Sequence, residues 1–298
     1  MRDIKEVEDF WNLNPCGLPA DFSTVDKKEK FLEIDRERYL KQKRIIEFAD
    51  FTAFKGKKVL EIGCGIGSDA EQFAKAGAIY TGVDLTESAV SITKERFEIF
   101  GLSGLIRKAD AEALPFDDNS FDHVYSFGVI HHSPNPEKIV SEIYRVLKPG
   151  GTIAIMLYNK TSFYYLIEVC FIRKVVFLFC EKKLFWQNIF RLFGRKSYRR
   201  FELFREKLEK IKLMNPKPND LEWISMNTDN VFCPIARVYS RKEAQALFYK
   251  FRNFKTRVWF IDKDNWFIWI TLGKFIPPVV ANLLERSFGW LRMIDAVK

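Results

Sequence analysis

Cysteine is scarce in this 298-residue chain, and the five present (Cys16, Cys64, Cys170, Cys180, Cys233) are scattered and odd in number. None are paired at a metal-ligand spacing, so a disulfide framework is excluded, no metal site is expected, and reduced thiols in the cytoplasm follow. Histidine is scarcer still, with three. No internal repeat or low-complexity tract is present. Residues Met1 to Phe10 alternate acids and bases with apolar residues, so no signal peptide is expected. The apolar run from Phe163 to Cys180 is interrupted by Glu168 and Arg173-Lys174. Each such charge costs ~3 kcal/mol at the bilayer centre, which opposes a spanning helix. What is there in quantity is apolar residue, 47% of the chain, enough for one large domain or one domain with an elaboration.

Residues 59–69 read Val-Leu-Glu-Ile-Gly-Cys-Gly-Ile-Gly-Ser-Asp. Val59, Leu60 and Ile62 suit a buried strand; Gly63, Gly65 and Gly67 form a side-chain-free loop; Ser68-Asp69-Ala70 opens a helix running to about Gly77. A strand, glycine loop and helix in series place backbone N–H groups and a helix N-terminus beside a ligand. The dinucleotide fingerprint wants Gly or Ala three residues after the second glycine, where this chain has Ser68. Glu61, in the strand, would repel a pyrophosphate but not an amine or sulfonium. The loop therefore favours S-adenosylmethionine over NAD.

A second strand, Ile79 to Leu85, ends in Asp84, placed to accept from both ribose hydroxyls, with Leu85 packing on the adenine. Alternatively Asp84 is a helix cap before Thr86-Glu87-Ser88. Asp110, in Lys108-Ala109-Asp110-Ala111-Glu112, is a candidate acceptor for the adenine amino group, or else a turn residue. Phe121 to Phe127 reads as a fourth strand running into a loop with His131 and His132. Leu147-Lys148-Pro149-Gly150-Gly151 closes a helix before an apolar strand, Thr152 to Tyr158. In order and spacing these five motifs resemble the class I S-adenosylmethionine-dependent methyltransferases, nearest the type 11 branch that includes the ubiquinone and menaquinone biosynthesis enzymes. The resemblance covers roughly residues 40–160. It implies an α/β fold, a seven-stranded Rossmann-like sheet with helices on both faces. It also implies a cofactor site of Glu61, Gly63, Cys64, Gly65, Gly67, Asp84, Leu85, Asp110, Ala111 and Phe127.

Between Lys160 and Lys212 stand fourteen Lys or Arg against five Glu, so all of the chain's net charge of +9 lies there, with thirteen aromatics. The expected organisation is an N-terminal lid and helix (1–50), a cofactor-binding core (51–159), a mostly helical cap insertion (160–235), and a C-terminal part of the core (236–298) with a second insertion at about 262–287. The cap is expected to help make the acceptor pocket, with its basic outer face a candidate for peripheral contact with anionic membrane. Nucleic-acid binding is the disfavoured reading of the same charge. Phe10 to Gly17 is too rich in turn formers for helix and reads as a lid over the cofactor, followed by one helix from about Lys28 to Phe48. Tyr39 on that helix is placed to reach the methionyl end of the cofactor, or to anchor the helix. Ser240 with Glu243 reads as a capping box, Phe254 to Ile261 as a sixth strand, Pro277-Pro278 as a helix start, and Trp290 to Val297 as a final edge strand.

An activated sulfonium methyl requires chiefly an aligned nucleophile and exclusion of water. A hydroxyl acceptor also needs a base, for which His131 and His132 are candidates because imidazole titrates at about 6.5; alternatively they shape the pocket. No Asn/Asp-Pro-Pro-Tyr/Phe signature follows strand four, which counts against methylation of exocyclic amines on nucleic-acid bases. The expected activity is methyl transfer to a small or amphipathic acceptor such as a quinone, phenol or lipid-linked metabolite. The alternatives are an RNA or protein methyltransferase docking through the basic segment, or a cofactor-binding scaffold without turnover.

Overall fold

The computed structural model describes residues 3–19, 22, 26–182, 184–186, 188, 195–229, 232–262 and 275–298. The chain divides into two compact units, one of residues 1–157, 241–256 and 293–298, the other of residues 158–240 and 257–292.

The first unit begins with α1 (Ile4–Leu13), started by the Asp3 side chain accepting from the Lys5 amide. Phe10-Trp11-Asn12-Leu13 is therefore helical, contrary to the non-helical strap expected. The turn formers take effect only from Asn14-Pro15 onward, because proline disfavours helix in the residue before it. The long helix expected next is two, α2 (Lys27–Lys41) and α3 (Arg44–Ala49). Lys41-Gln42-Lys43-Arg44 offers no apolar side chain to pack, and α3 restarts where Ile45, Phe48 and Ala49 are buried.

The sheet follows as β1 (Lys58–Ile62), β2 (Ile79–Asp84), β3 (Leu105–Lys108), β4 (Phe121–Phe127), β5 (Leu147–Tyr158), β6 (Arg252–Trp259) and β7 (Leu291–Val297). Their order is β3-β2-β1-β4-β5-β7-β6. The first five run parallel, with Ile62 beside Val83, Glu61 beside Tyr125, and Asp84 beside Lys108. Between them run α4 (Ser68–Lys75), α5 (Glu87–Phe100) and α6 (Pro136–Val146), with α10 (Arg241–Leu247) before β6. Gly150 donates to Lys298 O, and the Lys298 amide to Gly151 O, so β7 returns along β5 in the opposite sense. The fold is the seven-stranded Rossmann-like sheet expected. The edge is not: β7 lies between β5 and β6, and β6 is the outer strand. Their burial explains it, since β7 is buried at five of seven positions while β6 exposes Arg252, Lys255 and Arg257, the charged dressing that edge strands carry. Leu147 to Gly151 belongs to β5 itself.

The second unit is helical at Tyr164–Ile172 (π-helix), α7 (Arg173–Leu178), α8 (Arg195–Met214), α9 (Asp220–Thr228) and α11 (Pro278–Phe288). Asn219 caps α9 in a reciprocal box with Glu222. Its interior holds an ion pair, Arg173 with Glu168 at 3.0 Å. The Arg173 guanidinium also donates to Asn227 O, which accepts the Tyr164 hydroxyl at 2.6 Å. The Trp223 indole donates to Val169 O. Residues 263–274, nearly half of the expected second insertion, lie outside the described residues. No helix among those described is long and apolar enough to cross a membrane.

Candidate active site

The carboxyl ends of β1, β2 and β4 lie side by side because the strands are parallel and in register, and the strand order reverses between β1 and β4. Open α/β sheets bind ligands at such a point. Exposure divides the expected site residues there. Gly63, Gly65, Asp84, Leu85, Asp110, Ala111 and Phe127 are half-exposed along this line, whereas Glu61, Cys64, Gly67, His131 and His132 are buried.

Gly63, Gly65 and Gly67 all have left-handed backbone, φ 77°, 55° and 81°. Their surroundings differ. A Cβ on Gly63 would lie 2.1 Å from Val129 Cγ2, and one on Gly67 3.1 Å from Thr93 and Arg96, but one on Gly65 would meet nothing within 4 Å. Gly63 lets the loops after β1 and β4 touch; Gly65 leaves open space. Four of the five loop amides are already engaged. Gly63 and Cys64 donate to Val83 O, Gly67 to Cys64 O, and Gly65 to Asp84 Oδ2 at 3.0 Å. A nest for phosphate needs free amides, so this loop suits a ligand that approaches closely without needing those donors.

Asp84 is the organiser of the loop. Its Oδ1 accepts from the amide and hydroxyl of Thr86, both at 2.9 Å, and Thr86 in turn caps α5 through the Ala89 amide. Thr86 is thus the cap, and Asp84 fixes both cap and glycine loop. Burial raises the Asp84 pKa, opposed by these hydrogen bonds. Oδ2, which accepts from the Gly65 amide, keeps a lone pair for a further hydroxyl. Thr93 Oγ1 closes the loop from below by donating to Gly65 O at 2.8 Å. Asp110 makes a turn, accepting from the Glu112 amide at 2.8 Å.

Several expectations change at this point. The Glu61 carboxylate is turned to Tyr80, whose hydroxyl donates to it at 2.6 Å, and the residue is 3% exposed. Burial, then the charge of Asp69, holds its pKa well above the usual carboxylate range. The Cys64 thiol is buried, and burial and then Asp84 push its pKa up. The Tyr39 hydroxyl faces the first turn of α4, 2.8 Å from Asp69 Oδ1 and 3.2 Å from Ser68 O. His131 is fully buried and held neutral, its pKa driven well below normal by burial and then by His132. Its ring is 4.4 Å from that of His132, which meets the edge of Trp11 at 5.0 Å.

Trp11 was not among the expected residues, nor were the groups that fix the N-terminal helices here. Asp69 accepts from Arg38 at 2.6 Å, from Tyr39, and from Tyr125 at 2.9 Å. Arg96, with no exposure, bonds Glu71, Asp35, Ser68 and Ile66 O. Asn12 on α1 accepts from the Ser88 amide at the start of α5. Glu112 accepts from Ser133 Oγ at 2.7 Å and from the Asn135 side chain at 2.8 Å, tying the β3 turn to the histidine loop. Only Arg96 carried a sequence signal, an arginine in the otherwise apolar stripe of a helix.

Residues 60–155 match a family described as a methyltransferase domain, spanning β1 to β5 and the whole of this site. The methyl donor of such domains is S-adenosylmethionine. The chain is 41% identical over 112 residues to cycloartenol-C-24-methyltransferase 1 of Oryza sativa subsp. japonica, covering 37% of this chain and 33% of that protein. Over 163 residues the chain is 30% identical to the ubiquinone biosynthesis O-methyltransferase of Coxiella burnetii, covering 55% of this chain and 62% of that protein. The chain thus spans between a third and three fifths of these relatives. The [4+2]-cyclase SpnF shares the fold at TM-score 0.51 and 16% identity, over 98% of this chain and 94% of that one. A cyclase on the same frame shows that fold alone does not name the chemistry.

Proposed function

We propose that the protein binds S-adenosylmethionine in the cleft over Gly65 and transfers its methyl group to a small or amphipathic acceptor, such as a quinone, phenol or lipid-linked metabolite. The observation that carries this is the loop geometry: a glycine with open space above it, its amide held by an acid at the next strand's end. Asp84 Oδ2 holds a ribose hydroxyl; half-exposed Leu85, Ala111 and Asp110 flank the adenine; Phe127 closes the side toward β4. The cofactor supplies an activated methyl on a sulfonium. The chain's part is to place the acceptor and keep water out. The acceptor class rests on the relatives' names, a sterol and a ubiquinone precursor, and on the apolar character of the second unit.

Of the two histidines, His132 is the candidate for shaping or deprotonating the acceptor, because burial deprives His131 of basicity. Trp11, edge-on to His132, supports a lid role for α1. Calorimetric titration with S-adenosylmethionine and S-adenosylhomocysteine tests the reading. Binding of both is expected; tight NAD binding with neither would overturn it. Incubation with methyl-labelled cofactor and lipid extracts then identifies the acceptor.

A further inference from the structure

The helical stretch Tyr164–Leu178 of the second unit is apolar on its outer side as well as on its inner one, where Val169, Val176 and Phe177 are buried. Its only acid, Glu168, and one of its two bases, Arg173, are buried and paired with each other. Its solvent side carries Ile167, Phe171, Val175 and Leu178, exposed by 39%, 65%, 36% and 60%. Their spacing of four, four and three residues sets them on one face. Lys174, its ammonium 3.7 Å from the exposed Asp220 carboxylate, is the one charged side chain of the stretch on that side, and Lys182, also exposed, has its ammonium 5.4 Å from the Phe179 ring. In water a helix normally points its charges out and its apolar residues in. A contiguous exposed apolar stripe marks a surface that something covers.

We infer that this face docks in the interfacial layer of an anionic lipid bilayer, with Phe171 and Leu178 inserted among the acyl chains and the flanking lysines on the headgroups. Charge complementarity selects that occupant, since residues 160–212 hold fourteen Lys or Arg against five Glu. An interfacial helix lies in the plane of the membrane, and none described here is long and apolar enough to cross it. A second helix of the same unit, α11, exposes Val279 and Leu283 by 73% and 61%. The inference rests on the amphipathic acceptor proposed above and names the surface at which it is met.

The test is co-sedimentation of the full chain with vesicles of phosphatidylcholine alone and of phosphatidylcholine mixed with phosphatidylglycerol. The variants are the pair Phe171→Ser with Leu178→Ser and, as control, Tyr249→Ser, which is exposed on the first unit. The parent and the control are expected to pellet with the mixed vesicles, and the double variant to partition about tenfold less. Cofactor titration of each sample reads the methyltransferase proposal separately and is expected unchanged. Equal partition of parent and double variant, equal partition onto both vesicle types, or no partition would overturn the inference. So would a dimer seen by light scattering that the double variant abolishes, which assigns the face to a second copy.

Discussion

Substituting Gly65 and Gly63 separates loop conformation from loop occupancy. Gly65→Ala places a Cβ in open space, and its only intrinsic penalty is the left-handed backbone, φ 55°, ~1–2 kcal/mol for an L-residue. If cofactor fills that space, the methyl overlaps it, and overpacking of ~1–3 kcal/mol becomes an affinity loss of about 5- to 150-fold. Gly56→Ala is the control: φ is 72°, a Cβ there again meets nothing within 4 Å, and it lies away from the loop. It should cost similar stability and no affinity. Gly63→Ala differs in kind. Its Cβ would be 2.1 Å from Val129 Cγ2, so overpacking adds to backbone strain for ~2–5 kcal/mol, a large part of a domain's ~5–15 kcal/mol. Urea denaturation gives the stabilities and calorimetry with S-adenosylhomocysteine the affinities. A Gly65→Ala protein that is folded and binds as tightly as the parent would refute the placement of the cofactor.

Asp84→Ala removes the acceptor of three loop and cap donors, so it should weaken cofactor binding by ~2 kcal/mol or more and lower stability as well; calorimetry paired with a melting curve checks both. His123, stacked on Phe54, has its pKa pushed down by burial to about 3. The unfolded chain takes up that proton first, so native stability is intact above about pH 6.5 and falls as pH drops toward 3, by up to ~1.4 kcal/mol per unit. Buried His131 acts in the same direction; His123→Gln should flatten the slope by about one proton, and an unchanged slope in urea titrations would count against this. Removing one partner of the buried Glu168–Arg173 pair, as in Glu168→Gln, should cost ~3–5 kcal/mol, while replacing both by Leu and Met should cost less.

The site was legible where function requires a residue type at a fixed distance from a strand end. Gly63, Gly65, Gly67 and Asp84 are of this kind, and so are the strands around them, whose apolar runs are buried on both faces. What stayed hidden depends on contacts distant in sequence. Nothing near Asp69 announces that Arg38, Tyr39 and Tyr125 converge on it, and Trp11 gains its meaning only from His132, far along the chain. The order of β6 and β7 was misread for a different reason. Alternation was taken for an edge in β7, whereas the exposed bases of β6 were the better sign.

The segment Phe163 to Cys180 shows the limit most sharply. Counted along the chain, Glu168 and Arg173 interrupt an apolar run and argue against lipid. Wound into a helix, they fall on the inner side, five residues apart, and neutralise one another away from solvent. The change of pitch matters: a π-helix advances more slowly around its axis than an α-helix, so a spacing of five meets where four would be usual. The two charges that oppose a spanning helix therefore leave the outer face apolar. Opposition to spanning and fitness for an interface come from the same two residues, and which one a sequence expresses is decided by the face they occupy.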